Sequence, residues 1–106
     1  MNKLNALKDA LLRVTDNVFH FEKNGSEMNQ YIVWSEEYKE RSFADNRIIR
    51  EIECGTIDFF TRIEFDNMVN SIEKELSYSA IYFKLVSIQR ELETGYIHYE
   101  WEFQIG

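Results

Sequence analysis

The sequence predicts an α+β fold: αβββαββ order, a mostly antiparallel sheet, and two helices packed on one of its faces. Three observations carry this. Two segments, Leu4–Val14 and Phe65–Leu76, repeat apolar residues every three or four positions, the period of an amphipathic helix. The C-terminal stretch alternates strictly, with Ile97, Tyr99, Trp101, Phe103 and Ile105 on one side and His98, Glu100, Glu102 and Gln104 on the other. Aromatic residues make up 15% of the chain, which favours strands and lets a short chain bury much apolar area.

In order along the chain, Leu4, Leu7, Leu11 and Val14, with Ala10 beside them, form one apolar stripe and predict a helix over residues 2–15. Thr15-Asp16-Asn17 ends it with turn-forming residues. Val18–Lys23 is a short strand, and Asn24-Gly25-Ser26 a turn. Tyr31-Ile32-Val33-Trp34 is β-branched and aromatic, a second strand, with Ser35-Glu36-Glu37 behind it. Tyr38–Arg47 has mixed charge and no period, which reads as a surface loop or an extended hairpin arm. Ile48–Phe60 is the third strand. In it Ile52 and Cys54 differ in parity from Ile57 and Phe59, so a β-bulge is expected at Gly55 to return all four to one face. Phe65, Met68, Val69, Ile72 and Leu76 form the second helical stripe, over 66–78, with Glu64 or Asp66 at its acidic start. Ile81–Leu92 is the fourth strand. It is joined to the last by a three-residue loop, Glu93-Thr94-Gly95, in a long antiparallel hairpin.

A chain of 106 residues fits a single domain, 1–106, of modest stability unless subunits associate. Its net charge of −7 argues against a wrapped nucleic-acid complex. The longest apolar run is the four residues Tyr31–Trp34, far short of the roughly twenty a membrane span needs. No membrane partner is expected. The first residues lead into a charged amphipathic segment and not into a signal sequence, and Cys54 is the single cysteine, so a reducing cytoplasm is the expected setting.

Residues able to carry chemistry are few. His20/Glu22 and His98/Glu100 each set two metal-type ligands on one strand face, and four could converge if the two strands were neighbours. Two amphipathic strands explain the same pattern without a metal. Asp58, Glu64 and Asp66 are better explained as a strand charge and a helix start than as paired acid–base carboxylates. Glu51, Glu53 and Asp58 make the surroundings of Cys54 acidic, the wrong field for a nucleophile, so a buried structural thiol is expected. Isolated glycines make no phosphate loop. The reading is a non-enzymatic domain, with no cofactor and no metal, that works through its surfaces.

Tyr31-Ile32-Val33-Trp34-Ser35-Glu36-Glu37, Ala44-Asp45-Asn46, Gly55-Thr56-Ile57-Asp58-Phe59-Phe60-Thr61-Arg62 and Thr94-Gly95-Tyr96-Ile97-His98-Tyr99-Glu100-Trp101 together resemble small head–tail module proteins of long-tailed phages and prophages of Gram-positive bacteria. More distantly, the element order is similar to the tail terminator (tail completion) family. Phe59 and Asn67 depart from that family, which tends to have tyrosine and proline there.

The resemblance implies a virion protein of the tail and neck, assembled in the host cytoplasm. It implies a homo-oligomeric ring, six-membered in that family, which caps the tail tube protein and meets the head-completion or connector protein. DNA would pass through such a ring without specific binding. On that reading Tyr38, Lys39, Glu40, Arg41, Ser42, Phe43, Asp45 and Asn46 form an interaction loop, too long and polar for a tight hairpin and ordered on assembly. Glu91, Glu93, Glu100 and Glu102 gather around the last hairpin as an acidic lumen or rim patch. The alternatives are another neck or head-completion protein, or a small acidic inhibitor that mimics DNA.

Overall fold

Seven elements run as α1 (Leu4–Leu12), β1 (Val18–His20), β2 (Gln30–Ala44), β3 (Arg47–Thr61), α2 (Met68–Tyr78), β4 (Tyr82–Arg90) and β5 (Ile97–Ile105). The computed structural model describes residues 2–106. The strands form one sheet in the order β1-β2-β3-β5-β4, antiparallel except for the parallel β1–β2 pair. Among the described residues no helix is long and apolar enough to cross a membrane.

Both helices cover one sheet face, as the sequence predicts. Leu4, Leu7 and Leu11 from α1 and Ile72 and Leu76 from α2 share a core with Ile32, Trp34, Ile57, Phe59, Trp101, Phe103 and Ile105. Register explains why these side chains meet. Trp34 lies opposite Ile57, Ile57 opposite Trp101, and Trp101 opposite Leu85, a row across four strands. Each fully buried side chain of this size contributes about 1.5–3 kcal/mol. Helices of nine and eleven residues would not persist alone, so this packing is what holds them. Trp101 donates its indole N–H to Glu73 Oε2 on α2 at 2.8 Å, which fixes the helix over the centre of the sheet.

The helix starts are built by side chains. Asn2 Oδ1 accepts the Leu4 N–H at 2.9 Å. Asp66 Oδ1 accepts the Met68 N–H at 2.9 Å, and its Oδ2 accepts the Thr61 hydroxyl at 2.7 Å. Asp66 is therefore the acidic start expected for α2, tied back to the end of β3.

Several expectations are corrected. Phe65 is not on the α2 stripe: its φ is +54° and its ring is exposed, because the chain turns sharply before Asp66. The first strand ends at His20, three residues early, because Phe21 takes a φ of +71°. The last loop comprises residues 91–96, not three residues, and is closed where the Glu91 N–H donates to the Tyr96 carbonyl and the Glu91 carbonyl accepts from the Gly95 N–H. Gly55 carries no bulge. The β3–β5 register runs unbroken from Glu53 to Thr61, and the extra residue lies across the ladder in β2, between Glu36 and Tyr38. Cys54 consequently faces away from Ile57 and Phe59. The reason for glycine at 55 is close approach: a Cβ there would lie 2.0 Å from the Ser35 carbonyl oxygen and 2.8 Å from Phe103 Cε2.

The largest correction concerns Tyr38–Asn46. It is not a loop. Tyr38, Lys39, Glu40, Arg41, Ser42 and Phe43 continue β2, and only Asp45 and Asn46 turn, with φ of +51° and +64°. Two consecutive left-handed residues make the tight two-residue hairpin turn that matches strand twist. The segment lacks apolar alternation because neither of its faces is buried, so periodicity gave no strand signal.

Candidate functional site

The β2–β3 hairpin outruns its sheet. β1 pairs with β2 only up to Trp34, and β5 ends with Ile105 opposite Glu53. Beyond that level no third strand joins the β2–β3 ladder, so residues 39–52 form a two-stranded arm, tied to the body at its base where Lys3 Nζ donates to the Glu51 carbonyl at 2.7 Å. The molecule is correspondingly elongated, 52 × 25 × 24 Å. An isolated two-stranded ribbon is marginal in water. Ion pairs brace this one: Arg41 Nε donates to Glu51 Oε2 at 3.0 Å, and Lys39 Nζ lies 3.5 Å from Glu51 and 3.4 Å from Glu53. The Arg41 hydrogen bond and the Lys39 charge hold the Glu51 carboxyl below the usual carboxylate range. The Arg41–Glu51 pair is largely solvent-exposed and contributes little stability, whereas Glu53 is buried at the arm root with the Lys39 ammonium beside it. At the tip Phe43 pairs with Ile48 across the ladder, and Ile49 is the extra residue of a second bulge. Phe43 and Ile49 are 63% and 65% exposed, an apolar tip that none of the described residues covers.

At the root of the arm, on the sheet face opposite the helices, lies a groove of about 360 Å³. Tyr38 and Tyr82 stand at its sides, and Glu37, Glu100 and Glu102 line it together with one cation, Lys84. Glu37 is there because it is the bulged residue of β2. Cys54 is buried and also lines the groove. Burial, then the charge of Glu40, push its thiol up, opposite to the shift that activates a cysteine nucleophile. Gly55, which also lines the groove, lets the β2 backbone at Ser35 and Glu36 lie close against β3 at the arm root.

Farther along the same face, Tyr31 stacks on Phe60 at 4.7 Å, Phe60 stacks on His98 at 4.2 Å, and the Arg62 guanidinium covers Tyr96 at 4.3 Å. His98 Nε2 lies 2.7 Å from Asp58 Oδ1. This hydrogen bond raises the His98 pKa against the opposing effect of burial, with further help from the charges of Asp58, Glu91 and Glu100. Asp58, His98 and Glu100 are the trio among the described residues whose ligand atoms lie within 4.8 Å of one another. The direct Asp58–His98 bond accounts for that proximity as an ion pair.

The four-ligand arrangement of the two His-x-Glu motifs does not form. β2 and β3 separate β1 from β5, and His20 lies on the helix side, stacked on Trp34 at 4.0 Å and bonded to Glu36 at 2.6 Å. Burial raises the Glu36 pKa, but the His20 bond and a backbone bond overcome it and leave the carboxyl lowered.

The four hairpin glutamates do not gather into one patch. Glu100 and Glu102 line the groove, Glu91 and Glu100 both lie beside His98, and Glu93 lies on the loop. Five strand positions, about 16 Å, separate the level of Glu102 from the loop end. Sequence reasoning missed Arg47, Arg50, Tyr82 and Lys84. The Asp45-Asn46 pair between two β-capable segments was the available signal for the first two. Comparison with known protein families and with curated proteins finds no match for this chain.

Proposed function

We propose that this chain is a structural subunit of a phage-type tail, a tail terminator that closes into a ring on the head-proximal end of the tail tube. The observation that carries the reading is the arm. A ribbon that extends past its own sheet and ends in exposed Phe43, Ile48 and Ile49 is stabilised once a partner covers it. The resemblance supplies the tail context, and the small body supplies a reason to assemble, since a modest core gains from a closed ring. Six copies are the number the resemblance implies. The tail tube and a head-completion protein are the partners on the two sides of the ring, and the assembled particle is where the protein works.

Charge supports passage of DNA without binding. Outside residues 39–51 the chain carries sixteen acidic and eight basic side chains. Glu91 and Glu93, at the loop end, are the residues proposed for the lumen or rim, where they would repel phosphate. A DNA mimic would instead need an unbroken row of carboxylates; here His98 and Lys84 interrupt the row.

The test is growth of tail tubes. Tube protein of the same phage or prophage is polymerised with and without this chain, and tube length is measured. Arrest of length at substoichiometric amounts is expected. Unchanged growth at saturating amounts rejects the terminator reading.

A further inference from the structure

The tip of the arm and the groove at its root are complementary in charge and chemistry, yet they cannot meet within one molecule. Residues 39–51 hold four basic and three acidic side chains, a net +1 on a chain that is otherwise −8. Arg47 and Arg50 at the tip make no ion pair among the described residues. Neither do Glu37, Glu100 and Glu102 in the groove. From Tyr38, which is the groove wall, to Ala44 the ribbon extends about 20 Å away from the groove.

We infer that the arm tip of one copy seats in the groove of a second copy, with Arg47 and Arg50 against Glu100 and Glu102. The inference rests on the assembly reading above and names the contact between subunits. A guanidinium entering between Tyr38 and Tyr82, 53% and 58% exposed, stacks on aromatic faces while it reaches the carboxylates. The groove volume admits one or two side chains of a ribbon tip, not a helix. Phe43 and Ile48 then lie against the partner's surface beside the groove. Tip and groove are different patches, so the contact is head-to-tail and every copy both gives an arm and receives one. Such a contact either closes into a ring or propagates. It also removes Glu100 and Glu102 from the lumen and gives them a partner.

The test is sedimentation velocity over a concentration series on four samples: the wild type, Arg47→Glu/Arg50→Glu, Glu100→Lys/Glu102→Lys, and an equal mixture of the two variants. Circular dichroism melting checks that each variant is folded. The wild type should associate with concentration and less so as salt rises. Each variant alone places like charges at every contact and should raise the midpoint concentration at least about tenfold. The mixture restores opposite charges at every contact between unlike copies, and should return toward the wild-type midpoint. A wild type that stays monomeric, or folded variants that remain dissociated when mixed, overturns the contact. The same variants tested for tube arrest separate the two readings. Arrest without self-association leaves the terminator reading and removes this contact. Restored association without arrest does the reverse. Loss of tube binding by the arm variant with unchanged self-association assigns the arm to the tube protein and overturns the inference.

Discussion

Replacing Gly55 by alanine puts a methyl group where β2 lies closest to β3, at the arm root. The new Cβ would sit 2.0 Å from the Ser35 carbonyl oxygen, about 1 Å inside the closest approach real Cβ atoms make, and 2.8 Å from both Glu36 Cα and Phe103 Cε2. Two of these neighbours are backbone, so no side-chain rotation relieves the clash. The β2 bulge must move away from β3. Overpacking of this kind costs about 1–3 kcal/mol. Weakening two ladder hydrogen bonds adds about 1 kcal/mol each. A total of about 3–5 kcal/mol lowers Tm by roughly 12–40 °C for a domain of this size. The assay is thermal melting by circular dichroism at one fixed protein concentration. Gly25→Ala is the control: nothing lies within 4 Å, but φ is +89°, so only the backbone penalty of about 1 kcal/mol is expected. If Gly55→Ala melts within a few degrees of the wild type, the close approach of β2 is not real and neither is the groove wall it shapes.

Three further outcomes are expected. Glu73→Ala removes the acceptor of the Trp101 indole N–H and should cost about 1 kcal/mol in urea unfolding, with Trp101→Phe costing more because volume is also lost at a fully buried site. The His98 pKa is raised on folding from its ordinary 6.5, so its stabilisation is fully present below that value and lost as pH rises through the raised one; His98→Gln should therefore flatten the fall in stability as pH rises above 6.5. An equally steep fall in the variant would refute the role of the Asp58–His98 pair. Replacing Arg41–Glu51 with Asn-Gly, which joins the paired Glu40 and Ile52, should leave the body melting within about 5 °C of the wild type and abolish self-association.

How much of this could be read from the chain depended on burial. Elements with one buried face declared themselves: the α1 and α2 stripes and the Ile97–Ile105 alternation supply the observed core or pack against it, Phe65 excepted, because side-chain period and burial are the same signal there. The arm was legible only as an alternative to a loop, since a ribbon exposed on both faces has no apolar period. The bulge was placed on the wrong strand. Parity along β3 records a change of face, but it does not say whether β3 or its neighbour holds the extra residue, and Cys54 turns out to face the groove instead of the core. The groove itself joins Glu37, Cys54, Tyr82 and Glu102, far apart in sequence, and no local pattern could have assembled them. Nor could spacing show that β1 and β5 are kept apart by two intervening strands, which is what dissolves the paired His-x-Glu motifs.

The most direct test of the central claim is electron microscopy of tail tubes incubated with the purified chain and washed. The account predicts added density at one end of each tube, with rotational symmetry when viewed down the tube axis, and no density along the walls. Tube ends that look the same with and without the chain, at concentrations where the chain is folded and in excess, would contradict it.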